Sequence, residues 1–177
     1  MARLSRGIDW LNERIGRLVA WFALAMVLVQ FTFVLMSFVF GLGSLIIQES
    51  VVYLHGAMFM LGAGYTLLHD GHVRVDVFYR DASPATRAKV DIAGSFLFLV
   101  PVCVLIFIYA WPYVAQSWAV GEGSMEGSGI QGVYLLKTVV LLFCALLALQ
   151  GLSQATKAWL TLKGKPPAPP ETSETGV

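Results

Sequence analysis

LVAWFALAMVLVQFTFVLMSFVF, Leu18 to Phe40, runs for 23 residues without Asp, Glu, Lys, Arg or His. A helix rises about 1.5 Å per residue, so roughly 20 such residues cross a hydrocarbon core about 30 Å thick. A water-soluble helix keeps a polar face for solvent, and this stretch has none to offer. It is too long for the core of a signal peptide, and no small-residue cleavage site of the A-x-A kind follows closely. It is therefore expected to stay in the mature chain as a transmembrane span.

Three further stretches have the same character: Val51 to Leu68, Ile92 to Tyr113 and Val133 to Leu152. The second is at the lower limit for a full crossing and would stand upright or extend through His69. Composition agrees, since 57% of the 177 residues are hydrophobic, only 13% are charged, and the mean hydropathy is +0.71. Soluble domains are about 45–50% apolar, so a soluble enzyme is excluded. The expected fold is an all-α integral membrane protein of four transmembrane helices. It has a basic segment over 1–17, a four-helix domain over 18–162 and a Pro-rich polar tail over 163–177 that cannot bury a core.

Lys and Arg in short connections mark the cytoplasmic side. Arg3, Arg6, Arg14 and Arg17 precede span one, Arg74, Arg80, Arg87 and Lys89 lie between spans two and three, and Lys157, Lys163 and Lys165 follow span four. The connection from Gly41 to Ser50 carries only Glu49, and that from Ala115 to Gly132 carries Glu122 and Glu126. Both termini are therefore expected inside. Trp10, Trp21, Trp111, Tyr113, Trp118 and Trp159 fall near the expected interfaces, where such rings are favoured. Ser83 and Pro84 form an N-cap and first-turn pair for helix three, and Pro112 would loosen its outer end.

Spans one and three have no ionisable residue in their central parts, whereas pumps and ion-coupled carriers keep such groups in the membrane for function. Gln30 could hydrogen-bond to a neighbouring helix. Lys137, near the outer end of span four, would either snorkel to the interface or pair with Glu49, Glu122, Glu126, a lipid or a partner. Along a continuous helix His55 and His69 would stand about 21 Å apart, too far for one haem. His69 with His72 is a weak metal signal. Cys103 and Cys144 fall inside spans and behave as small apolar side chains. No catalytic, cofactor or metal residue is assigned. In HDGHVRVDVFYRD, His69 to Asp81, Val73, Val75 and Val77 alternate with Arg74 and Asp76, which suits either a loop on lipid phosphates or a docking edge. Small residues, Gly62 and Gly151 among them, permit close helix approach within the chain or to another subunit.

QES at Gln48 to Ser50, FMLGAGYTLLHDGHVRVDVFY from Phe59 to Tyr79, Ser117 with Trp118, Leu135 to Lys137 and LQGL at Leu149 to Leu152 resemble the small membrane subunit, the DctQ-like small permease, of tripartite ATP-independent periplasmic (TRAP) transporters. The likeness runs from about Gly16 to Trp159, and H-V-R-V-D at His72 to Asp76 is its most specific element. It implies a bacterial inner-membrane complex of a periplasmic solute-binding protein, a large permease carrying substrate and sodium, and a small four-helix scaffold. The cargo would be an organic acid, and no nucleic acid is involved. On this basis Gly62, Gly151, His72, Arg74, Asp76 and Lys137 are candidate contacts to the large permease. Glu49, Trp118, Glu122 and Glu126 are candidates for the landing surface of the binding protein. A haem- or quinone-associated membrane anchor of an oxidoreductase is the alternative.

Overall fold

The computed structural model describes residues 2–73, 79 and 82–164, and among these every regular element is helical. The elements are α1 (Ala2–Val39), α2 (Leu45–Leu68), α3 (Pro84–Gly94), a π-helical turn at Ser95–Leu99, α4 (Val100–Val120) and α5 (Val133–Leu162). α3, the π turn and α4 run on as one helical stretch, so four helices are long and apolar enough to cross a membrane.

The helices outrun the apolar spans that announce them. α1 has 38 residues, about 57 Å at 1.5 Å each, and continues unbroken through the basic segment. α2 begins at Leu45 and has 24 residues, so its crossing is not short. α5 continues to Leu162, and of the expected tail residues 165–177 lie outside the described residues.

Local chemistry sets the boundaries. The Ser83 hydroxyl accepts from the Thr86 amide at 3.2 Å with Pro84 in the first turn, the expected cap. Gly121 closes α4 at φ 59°, a left-handed conformation that costs a residue without Cβ little. The helix continues through Pro112 to Val120. The departure from α geometry falls instead at Ser95–Leu99, just ahead of Pro101. A proline there has no N–H for the Leu97 carbonyl and crowds it, and the wider π turn relieves both.

α5 is the hub. It packs against α2, α3, the π turn, α4 and the N-terminal part of α1, while α1 lies along α2. Leu141, Cys144, Leu146, Gln150, Gly151, Ser153, Ala155 and Ala158 of α5 are buried. Much of the outer surface of α1 and α4 is apolar and exposed, as suits a protein solvated by lipid and partner helices.

Candidate functional site

Charge and hydrogen-bonding capacity collect at the two ends of the bundle. At the end that holds the α4–α5 connection, Glu49 of α2 reaches across that loop. One carboxylate oxygen accepts from the Ser124 hydroxyl at 2.5 Å and the other from the Ile130 amide at 2.6 Å. The Ser124 amide in turn donates to the Ile130 carbonyl at 3.2 Å, so the loop closes on itself around the carboxylate. Lys137 of α5 pairs with Glu122 and lies 3.9 Å from the centre of the Tyr113 ring. Trp118 donates its indole N–H to Thr138 Oγ1 at 2.8 Å and meets Tyr134 edge-on at 4.7 Å. Glu126 is exposed and supports the turn through its backbone, its amide donating to Ser124 Oγ and its carbonyl accepting from Gly129.

The Lys137 ammonium holds the Glu122 carboxyl below the ordinary carboxylate range. The unfolded chain therefore binds more protons than the folded one between the lowered value and the ordinary one, and stability rises with pH across that window. The contribution is complete above the ordinary carboxylate pKa, 4.5, and is lost as pH falls through the lowered folded value. Thermal midpoints of wild type and Glu122→Gln should thus differ at neutral pH and converge on acidification. A constant gap would show that the pair contributes nothing through its charge.

At the opposite end a polar lock joins the first helix to the last. Asp9 of α1 accepts from Gln150 Nε2 at 3.0 Å, from the Ser153 hydroxyl at 2.8 Å and from Lys157 Nζ at 2.7 Å. Ser153 has a single hydroxyl hydrogen, directed at Asp9, so Ser5 donates in the 2.7 Å contact between the two serines. Asn12 donates to Gln150 Oε1 at 2.9 Å, and both amide side chains are wholly buried. The remaining Asn12 oxygen has no hydrogen-bond partner and lies where a Cβ on Gly64 would stand, 2.1 Å from it. Glu13 adds a tie to α2 by accepting from His69 Nε2 at 2.7 Å, and Gln154 donates to the Leu67 carbonyl at 2.7 Å. Among the described residues no group of three or more His, Cys, Asp or Glu could hold a metal ion.

Residues 26–161 match the model of a protein family described as "Tripartite ATP-independent periplasmic transporters, DctQ component". The chain belongs to the DctQ family. No curated protein and no solved structure matches it. DctQ is a component of a transporter, not an enzyme, and this chain is a multi-pass membrane protein of that class.

The structure distributes the expected DctQ site residues unevenly. Glu49, Trp118, Glu122 and Lys137 come together around the α4–α5 loop, and Lys137 is paired inside the chain instead of snorkelling. Gly62 and Gly151 face the chain's own helices: a Cβ would lie 3.7 Å from Val19 at Gly62 and 2.2 Å from Leu99 at Gly151. Gly151 thus permits a close approach within the chain, whereas Gly62 meets its neighbour at an ordinary contact distance. The His72 ring folds back to within 3.3 Å of the Ala63 carbonyl, while Arg74 and Asp76 lie outside the described residues. Gln30 is exposed on α1, and no other described residue meets it with a hydrogen bond. Ser5, Asp9, Asn12, Gln150 and Ser153 were not singled out in the sequence, although their helical spacing was a usable signal.

Proposed function

We propose that this chain is a static scaffold of its TRAP transporter, holding the large permease in the bacterial inner membrane while the permease moves an organic acid with sodium. The observation that carries the proposal is where charge is missing. Leu18 to Val39, Val51 to Leu68, Ile92 to Val120 and Thr138 to Thr156 contain no Asp, Glu, Lys or Arg. Pumps and ion-coupled carriers keep such groups at depth, and in this reading another chain supplies them. Sodium coupling and the organic-acid cargo rest on the family resemblance.

The distribution of Lys and Arg supports cytoplasmic termini, which puts the α4–α5 loop in the periplasm. There Trp118 at the end of α4, Glu122 and Glu126 on the following loop, and Glu49, which pins it, are the proposed landing surface for the binding protein. His72, Arg74 and Asp76 are the proposed cytoplasmic docking edge. Gln30 supports contact of α1 with a permease helix, because a lone amide near the middle of a span gains from a hydrogen-bonding neighbour. Gly62, Gly151 and Lys137 would then act on the permease indirectly, by fixing the shape of the bundle it meets.

The test is affinity purification of the tagged chain from its native membrane in mild detergent, with identification of co-purifying chains and an absorption spectrum. One large polytopic membrane protein and no chromophore is the expected outcome. A haem band with a redox partner would overturn the proposal in favour of an oxidoreductase anchor.

A further inference from the structure

Within α1, Trp10, Arg14, Arg17 and Trp21 follow one another at intervals of four, three and four residues, so they share one face of the helix. Asn12, Gly16 and Val19, offset by two residues or about 200°, are the buried side against α2 and α5. The Trp10–Trp21 face therefore points away from the bundle, and both indoles are exposed, at 61% and 69%.

The two guanidinium groups are held in place on this face. Arg14 lies over the Trp10 ring, 5.5 Å from its centre, and Arg17 is fixed by Glu13 at 2.7 Å. Glu13, which also engages His69, offsets one of the two guanidinium charges, and the face keeps a net positive charge. The same face continues into the span as Trp21, Leu24 and Leu28, all exposed. Its side chains are bulky there. Bulky faces suit acyl chains, whereas partner helices approach where residues are small.

We propose that this face binds an anionic phospholipid, with Arg14 and Arg17 holding the phosphodiester and the acyl chains lying along Trp21, Leu24 and Leu28. Arg17 and Arg14 stand about 6 and 10 Å along the axis from Trp21, within side-chain reach of a headgroup layer about 5–8 Å deep. Arginine suits the role because its planar fork contacts two phosphate oxygens at once. Trp10 is a positioning residue that holds Arg14 from the solvent side. Continuity with the apolar span selects a lipid over a free phosphate, and the charge selects an anionic lipid over a zwitterionic one. The inference goes beyond the transporter assignment and does not depend on it.

The test is native mass spectrometry of the full-length chain in detergent, titrated separately with phosphatidylglycerol, phosphatidylcholine and inorganic phosphate. Phosphatidylglycerol should bind in preference to phosphatidylcholine, and Arg14→Gln should lower that preference about 5-fold. Arg14→Lys, which keeps the charge but not the fork, should show a preference between those of wild type and Arg14→Gln. Lys89→Gln, which removes an equal charge from an exposed site on α3, should leave it unchanged. Equal binding of the two lipids, an equal loss in Lys89→Gln, or displacement of phosphatidylglycerol by inorganic phosphate would overturn the proposal. So would a photo-crosslinker at position 10 that captures a protein in native membranes in place of lipid.

Discussion

Replacing Gly64 by leucine should destabilise the detergent-solubilised chain by about 3–4 kcal/mol, the sum of overpacking and a lost buried hydrogen bond. A Cβ at Gly64 would stand 2.1 Å from Asn12 Oδ1 and 2.9 Å from its Cγ. Asn12 cannot yield easily, because it is fully buried and its amide donates to Gln150. Displacing it would leave Gln150 Oε1 without that donor and loosen the neighbouring contact of Gln150 with Asp9. The effect should therefore spread from the α1–α2 contact to the α1–α5 contact. Gly62→Ala is the control, since its Cβ would meet Val19 at an ordinary 3.7 Å, and it should change stability by less than about 0.5 kcal/mol. Thermal unfolding of Gly64→Ala, Asn12→Ala and the double variant completes the test. Asn12→Ala removes the atoms the new methyl would strike, so the double variant should lose less than the sum of the singles. Additive losses would mean that Asn12 and Gly64 do not share one packed site.

Glu49→Ala should release the α4–α5 loop and, if that loop receives the binding protein, reduce uptake more than any change at the loop's tip. The carboxylate takes two hydrogen bonds from separate parts of the loop, Ser124 and Ile130. Losing both should raise the local opening of the loop. Hydrogen exchange at the Ile130 amide reads that directly. Glu126→Lys gives the contrast, because the Glu126 side chain is exposed and only its backbone supports the turn. It should leave Ile130 exchange unchanged while weakening salt-dependent docking. If Glu49→Ala leaves exchange at Ile130 unchanged, the carboxylate is not what orders the loop.

What the sequence revealed and what it hid divide along the range of the interactions. The spans and the Ser83 cap depend on residues close together in the chain, and each could be read from composition or from a short pattern. The start of α1 at Ala2 could not be read this way. Its Arg-rich stretch reads only as a basic segment ahead of span one until Asp9 and Asn12 are seen against Gln150, Ser153 and Lys157. The spacing of Ser5, Asp9, Asn12 and Gly16 places them on one stripe, and Gln150, Ser153 and Lys157 on another, but nothing local says that the stripes meet. Lys137 shows the same limit, for snorkelling and pairing were both open until the loop brought Glu122 to it. Gly151 stands at a close approach, yet only coordinates show that the neighbour is Leu99.

The polar lock also bears on how the protein is made. Its two halves lie about 140 residues apart in the chain, and the α1 half is synthesised first. Until α5 has entered the membrane, Asp9 and Asn12 have water in place of Gln150, Ser153 and Lys157, and the N-terminal end of α1 stays open. Such long-range closure is slow relative to local helix formation. α5, which emerges after the other three spans, is thus the helix that completes the bundle. A nascent chain arrested before Gln150 would hold three inserted spans with an unsealed seam, a form that quality-control proteases can distinguish from the finished subunit.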